Sequence, residues 1–173
     1  MKKLLLVLLL IGFMAGAAFA DHPGDKWGVG LVGGWNFGTY SGLGGGGGLA
    51  LKVPGIPIFW TIDASLYTYW FYMSVNSDFY FLNGAFAPTV HYFIGAGLFA
   101  SIYSYSYWSH TTYFRFAVGG RIPIGVSWHI IDWFELFASV SPSVGVTFGN
   151  WYNDDYGALY WGIPLNIGFR FWF

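Results

Sequence analysis

Leu159-Tyr-Trp-Gly-Ile-Pro-Leu-Asn-Ile-Gly-Phe-Arg-Phe-Trp-Phe173 alternates from its first residue to its last. Leu159, Trp161, Ile163, Leu165, Ile167, Phe169, Phe171 and Phe173 share one parity; Tyr160, Gly162, Pro164, Asn166, Gly168, Arg170 and Trp172 share the other. Side chains of a strand point alternately to its two faces, so one face is uniformly apolar and the other mostly small, polar or charged. With Phe173 as its last residue, such a strand is expected to need a neighbour, and the first strand of a closed barrel is the simplest one.

Composition points the same way. Charged residues make up 9% of the chain and aromatics 24%, against a usual charged share of about 25%. So little charge could hardly solvate the surface of a water-soluble domain. A soluble β-sandwich with an aromatic core would leave most of the apolar faces uncovered. After Ala20 no run approaches the roughly 18 apolar residues of a spanning helix; the richest stretch, Val90 to Ile102, is interrupted by Gly95 and Gly97. Hydrophobicity divided among many short alternating segments is the pattern of a transmembrane barrel.

The N-terminus has the form of a targeting segment. Lys2 and Lys3 precede the apolar run Leu4 to Phe13, and Ala18-Phe19-Ala20 fits a signal peptidase site. The expected organisation is a cleavable signal peptide over residues 1–20 and one domain over residues 21–173. Removing Lys2 and Lys3 from the seven basic residues leaves five against eight acidic ones, a formal charge of −3 that argues against nucleic acid as a partner. The chain has no Cys, so neither a disulfide framework, a thiolate metal site nor a lipoprotein anchor is expected.

Seven further alternating segments precede the terminal one: Trp27–Phe37, Gly47–Val53, Ile58–Tyr67, Phe71–Tyr80, Thr89–Tyr103, Tyr113–Trp128 and Glu135–Phe148. Pro54-Gly55-Ile56-Pro57, Asn83-Gly84 with Pro88, and His129 to Phe134 read as turns. The expected fold is therefore all-β: a closed antiparallel transmembrane β-barrel of about eight strands. An even strand number places both termini on one side, the periplasm for a bacterial outer-membrane barrel. Gly38–Gly48, Thr68–Trp70, Ser104–Thr112 and Gly149–Ala158 would then be external. Aromatic rings favour the headgroup level. Trp27, Trp60, Phe79, Trp128, Trp133, Phe171 and Phe173 are expected at the periplasmic interface, and Trp35, Trp70, Trp108, Trp151, Tyr152 and Trp161 at the external one.

These residues resemble a known family. Asn166, Gly168, Phe171 and Phe173 resemble the terminal signal read by the outer-membrane barrel assembly machinery. Together with the leader and the eight strands they are similar to the OmpA transmembrane domain, OmpX and OmpW. More narrowly, Arg121-Ile-Pro-Ile-Gly-Val-Ser-Trp128, Glu135-Leu-Phe with Pro142-Ser-Val-Gly145, and Gly168-Phe-Arg-Phe-Trp-Phe173 resemble a poorly characterised family of small barrels found largely in spirochaetes. The resemblance implies outer-membrane lipids and, during biogenesis, the assembly machinery as partners. It implies no enzymatic activity and no cofactor. No peptidoglycan-binding domain follows the barrel pattern, so wall anchoring is not carried over.

Lys52, Asp63, Asp78, Arg115, Arg121, Glu135 and Arg170 all fall on the small or polar faces, and none on an expected lipid face. There, Arg or Lys at the bilayer midplane costs about 2–4 kcal/mol. Asp63 and Asp78 are expected to lie close together through pairing of the third and fourth strands. Two neighbouring carboxylates need cationic neutralisation. Arg121 is the first candidate to reach them across the lumen and Arg115 the second. Glu135 and Arg170 are expected to pair diagonally near the periplasmic mouth. Such a network fits a salt-bridged plug, because an eight-stranded interior is barely wide enough for its side chains; the alternative is a narrow gated channel for ions or small solutes. An Asp63/Asp78 acid–base dyad inside a plug would lack substrate access. His91 reads as a lumen histidine. His110 with Ser106, Ser109, Asp154 and Asp155 would suit an outer-leaflet lipid enzyme only if folding converged them. Short loops give an adhesin little surface. Gly44–Gly48 lacks the Lys-Ser/Thr of a phosphate loop and reads as a flexible turn or a small-residue lumen wall. No metal site is expected, since Asp154 and Asp155 fall short of a calcium ligand set.

Overall fold

The computed structural model describes residues 24–39, 45–67, 70–106, 112–149 and 158–173. The leader read over residues 1–20 lies outside them, as do Trp108, His110, Trp151, Tyr152, Asp154 and Asp155. Ten strands follow in order: β1 Gly28–Gly38, β2 Gly45–Lys52, β3 Phe59–Tyr67, β4 Trp70–Ala87, β5 Val90–Ser106, β6 Thr112–Arg121, β7 Ile124–Ile131, β8 Phe134–Val140, β9 Ser143–Gly149 and β10 Ala158–Trp172. Every pairing is antiparallel. β1 through β5 pair in sequence, and β1 also pairs with β10, which closes the sheet.

The ten strands make eight staves. β5 pairs with both β6 and β7, and β10 with both β8 and β9. β6 and β7 are thus two halves of one stave, broken at Ile122-Pro123, and β8 and β9 two halves of the next, broken at Ser141-Pro142. Proline carries no N–H for the ladder, yet its carbonyl still accepts. Gly95 N donates to Pro123 O at 2.8 Å, Ile122 N to Pro142 O at 2.9 Å and Ser141 N to Pro164 O at 2.9 Å. Three prolines on adjacent staves hand the ladder from β5 to β10 through their carbonyls. Two staves are therefore interrupted without opening the barrel.

The stagger is readable from the register. Arg170 pairs with Gly30, and the chain of partners runs through Ala50, Thr61, Asn76, Phe99, Gly119 and Gly145 back to Tyr160 on the starting strand, ten residues away. Ten residues of rise against eight interstrand spacings give a tilt of about 40°, inside the range of closed barrels.

The faces follow the alternation. Leu31, Leu66, Leu98, Ile167 and Phe173 are half exposed or more, whereas Ala50, Phe93, Ala117, Tyr103 and Tyr160 are buried. The polar and charged side chains Lys52, Asn76, Asp78, Arg115, Arg121, Glu135 and Arg170 are buried inside as well. An apolar exterior around a polar interior is the reverse of a water-soluble domain. At the rim carrying Trp27 and Phe173, the two residues exchange backbone hydrogen bonds of 2.9 and 3.0 Å. Trp133 stacks on Phe171 there, with Phe134 alongside.

Three expectations change. Asn83-Gly84 is not a turn: β4 runs through it to Ala87, with register shifts at Phe81 and Phe86, and the reversal comes at Pro88-Thr89. Gly84 makes room instead, since a Cβ there would run into the Tyr92 ring. β2 starts at Gly45, two residues before the expected Gly47, so of the two readings of the glycine run the strand wall holds and the turn does not; a Cβ at Gly48 would strike the Ile62 carbonyl. Trp70 is no external girdle residue: it shares a parity with Tyr72 and packs on the interior cluster of Phe99, Tyr103, Ala117 and Tyr160. The lumen takes a larger share of the aromatics than two girdles would leave. Phe59, Tyr80 and Phe93 form a continuous stack with centroid spacings of 4.4 and 4.3 Å, and Trp172 sits edge-on to Phe59.

Candidate functional site: the charged lumen

Inward parity brings the ionisable residues into the barrel; register decides which of them meet. Arg170 on β10 stands directly opposite Glu135 on β8, not diagonal to it. Its Nη1 donates to both carboxylate oxygens at 3.2 and 3.3 Å, and both side chains are sealed from solvent. The guanidinium lies 4.0 Å from the Phe137 ring centroid and 4.8 Å from that of Phe59, so two ring faces cover the cation. The diagonal position belongs to Trp172, whose indole Nε1 donates to Glu135 Oε2 at 2.9 Å. Gly28 permits this, because a Cβ there would lie 2.9 Å from the Trp172 ring.

A second ion pair joins strands that are not neighbours. Asp78 on β4 and Arg121 on β6 are both register partners of Gly97 on β5. Arg121 Nε lies 3.1 Å from Asp78 Oδ1 across the glycine, and a Cβ at Gly97 would occupy the carboxylate's place. Arg121 Nη2 also donates to Ser141 Oγ at 2.8 Å, tying the pair to the residue before the Pro142 break.

Asp63 sits differently from expectation. Asn76 lies between it and Asp78 along β4 and donates from Nδ2 to Asp63 Oδ2 at 2.9 Å and to Thr61 Oγ1 at 3.0 Å. Ser74 Oγ donates to Asn76 Oδ1 at 3.2 Å. Asp63 and Arg121 line one cavity of about 50 Å³ with Tyr72, Asn76, Tyr103 and Asn166, room for a few water molecules. Arg115 is buried on β6 between Tyr103 and Gly149 in register. Lys52 is buried with its Nζ donating to Val53 O at 2.9 Å, 5.8 Å from the Phe59 ring centroid.

Asn76, Ser141, Trp172 and Gly97 are among the uncharged residues that make lumen contacts with the charged ones. Their inward parity is readable in the sequence; their partners depend on register. Along β10, Asn166 and Gly168 face inward, and Phe171 and Phe173 outward at the rim. A Cβ at Gly168 would press on the Phe137 ring. Among the described residues, no group of three or more His, Cys, Asp or Glu is placed to hold a metal ion.

Fold and lumen together define the chain as a small β-barrel of the outer-membrane type, the fold that the alternating sequence resembles. The family model described as "Protein of unknown function (DUF3996)" matches residues 35–172, and the chain belongs to that family. No curated protein matches it in sequence. Among solved structures, it is similar to the N-terminal β-barrel domain of Pseudomonas aeruginosa OprF, with 14% identity, a TM-score of 0.52, and coverage of 85% of this chain and 98% of that one. It also matches Neisserial surface protein A (NspA), with 12% identity, a TM-score of 0.48, and coverage of 84% of this chain and 95% of that one.

Proposed function

We propose that this protein is a non-enzymatic, structural barrel of a bacterial outer membrane, with both termini periplasmic and a lumen plugged by its own charged and aromatic side chains. The observation that carries the reading is the pair of ion pairs inside the lumen, Arg170 with Glu135 on adjacent strands and Arg121 with Asp78 across β5, at 3.2 and 3.1 Å. Each pair is buried, and the Phe59–Tyr80–Phe93 stack occupies the space beside Arg170. Eight staves leave an interior that side chains can fill. Asn166, Gly168, Phe171 and Phe173 serve in this reading as the signal for the barrel assembly machinery, and the apolar exterior takes outer-membrane lipids as its solvent.

Planar-bilayer recording of the purified, refolded protein tests the plug. The wild type is expected to be electrically silent; steady conductance steps would overturn the reading. A second reading, a narrow gated channel, is favoured by one feature: Arg121 borders the cavity that Asp63 also lines. In that case Arg121→Ala turns a silent barrel into a conducting one, while a silent variant removes the gate.

A further inference from the structure

Two histidines meet near the rim that carries Trp27 and Phe173. His91 is on the inner face of β5 and is 8% exposed. It pairs in register with Ser127 on β7. His129 lies two residues further along β7, on the same face and diagonal to His91, and its backbone N–H donates to Thr89 O at 2.8 Å. The two imidazole centroids are 5.2 Å apart with an interplanar angle of 89°.

That edge-to-face spacing also matches two imidazoles on one metal ion. A nitrogen of each ring at about 2.0–2.1 Å from an ion, with a tetrahedral angle between them, puts the ring centroids about 5 Å apart. Both histidines stand on paired strands rather than on loops, so their backbone positions are fixed before any ion arrives. A third polar group is close in the ladder. Asn83 on β4 is opposite Phe93, one inward step from the Ala85–His91 pair, and its side-chain oxygen and nitrogen are buried without a hydrogen bond.

We propose that His91 and His129 bind one divalent transition-metal ion, with the Asn83 amide available to a metal-bound water. Two imidazoles select for Cu²⁺, Ni²⁺ or Zn²⁺ and against Ca²⁺ and Mg²⁺, which take oxygen ligands. Glu135, opposite His129 in register, is held by Arg170 and Trp172. The ion would clamp β5 to the rim end of β7, the half-stave that follows the Pro123 interruption.

The test uses the full chain, refolded in detergent without an affinity tag. His22→Ala and His110→Ala leave His91 and His129 as the only two of the four histidines. Zn²⁺ titration by calorimetry is expected to give one ion per chain. The Cu²⁺ paramagnetic resonance spectrum is expected to show coupling to two imidazole nitrogens. His91→Gln and His129→Gln are each expected to weaken Zn²⁺ binding about tenfold or more, with heat-modifiable gel mobility retained as the sign of a folded barrel. Absence of stoichiometric binding, a spectrum with fewer than two nitrogens, or unchanged affinity in either variant would each overturn the site. The nitrogen count is read on the parent protein, so it decides the matter even if a variant does not fold.

Discussion

Arg170 and Glu135 face each other squarely across the β8–β10 ladder, and the indole of Trp172 closes the third side of the carboxylate. Removing either charge strands the other among side chains that seal it from solvent. Breaking one side of such a pair costs about 3–5 kcal/mol, while replacing both partners with apolar groups of similar volume is often close to neutral. Glu135→Leu and Arg170→Met alone are therefore expected to lower the urea midpoint of the refolded barrel sharply. The double variant is expected to recover much of the loss. If the effects simply add in the double-mutant cycle, the pair is not coupled.

Trp172→Phe isolates the indole's contribution. It keeps a ring against Gly28 and Phe59 but removes the 2.9 Å bond to Glu135. A hydrogen bond to a charged group contributes about 1.5–3 kcal/mol, so a loss of that size is expected in the same unfolding measurement. A loss below about 0.5 kcal/mol would show that the ring's packing, and not its N–H, matters.

Gly97 offers a sharper test of the second ion pair. A methyl group there would take the space of the Asp78 carboxylate, whereas the nearest atom to a Cβ at Gly33 on the outer face is Gly46 O at 3.6 Å. Gly97→Ala is expected to destabilise the barrel about as much as Asp78→Asn does, and Gly33→Ala hardly at all. Midpoints from thermal or urea unfolding compare the three. Equal effects of the two glycine changes would mean that Asp78 can reach Arg121 by another path.

The sequence carried the fold far and the site only part of the way, for a physical reason. Alternation sorts side chains between two faces independently of neighbouring strands, so the inward charges and the outward apolar residues could be read directly. Contacts depend on register, and register accumulates around the ring. Glu135 and Arg170 are separated in the chain by β9 and residues 150–157, so nothing local states that they are opposite rather than diagonal. Asn76 between Asp63 and Asp78 was visible as an inward residue, but not as the amide that occupies Asp63. Asn83-Gly84 reads as a hairpin turn because that dipeptide suits one, yet Gly84 serves the approach of Tyr92. Pro123 and Pro142 interrupt their staves without ending them, a consequence of carbonyl acceptors on the neighbouring staves that a single strand's sequence does not display.

The exterior answers to depth. Ile167 is 65% exposed on the outer face, near the middle of β10, and Trp133 is exposed at the rim beside Phe171. A charged side chain on the lipid face costs about 2–4 kcal/mol at the midplane and about 0–1 kcal/mol near the interface. Ile167→Arg is expected to fall in the first range and Trp133→Arg in the second, by unfolding from lipid vesicles. Similar costs at both positions, or none at Ile167, would be incompatible with a bilayer around this surface.

Phe171 and Phe173 separate assembly from stability. Both rings are on the outside at the rim, where Phe171 touches Trp133, Phe134 and Phe169 and Phe173 is 69% exposed. The bonds that close the barrel at Phe173 come from its backbone, which exchanges hydrogen bonds with Trp27 whatever its side chain. Phe173→Ala is therefore expected to refold in detergent with an unfolding midpoint within about 0.5 kcal/mol of wild type, the usual span for a surface change. If the terminal aromatic is read by the assembly machinery, the same variant accumulates in cells as an unfolded species, scored by loss of the heat-modifiable band in the envelope fraction. Normal insertion in cells would remove Phe173 from the signal. A barrel that also fails to refold in vitro would assign the ring a packing role instead.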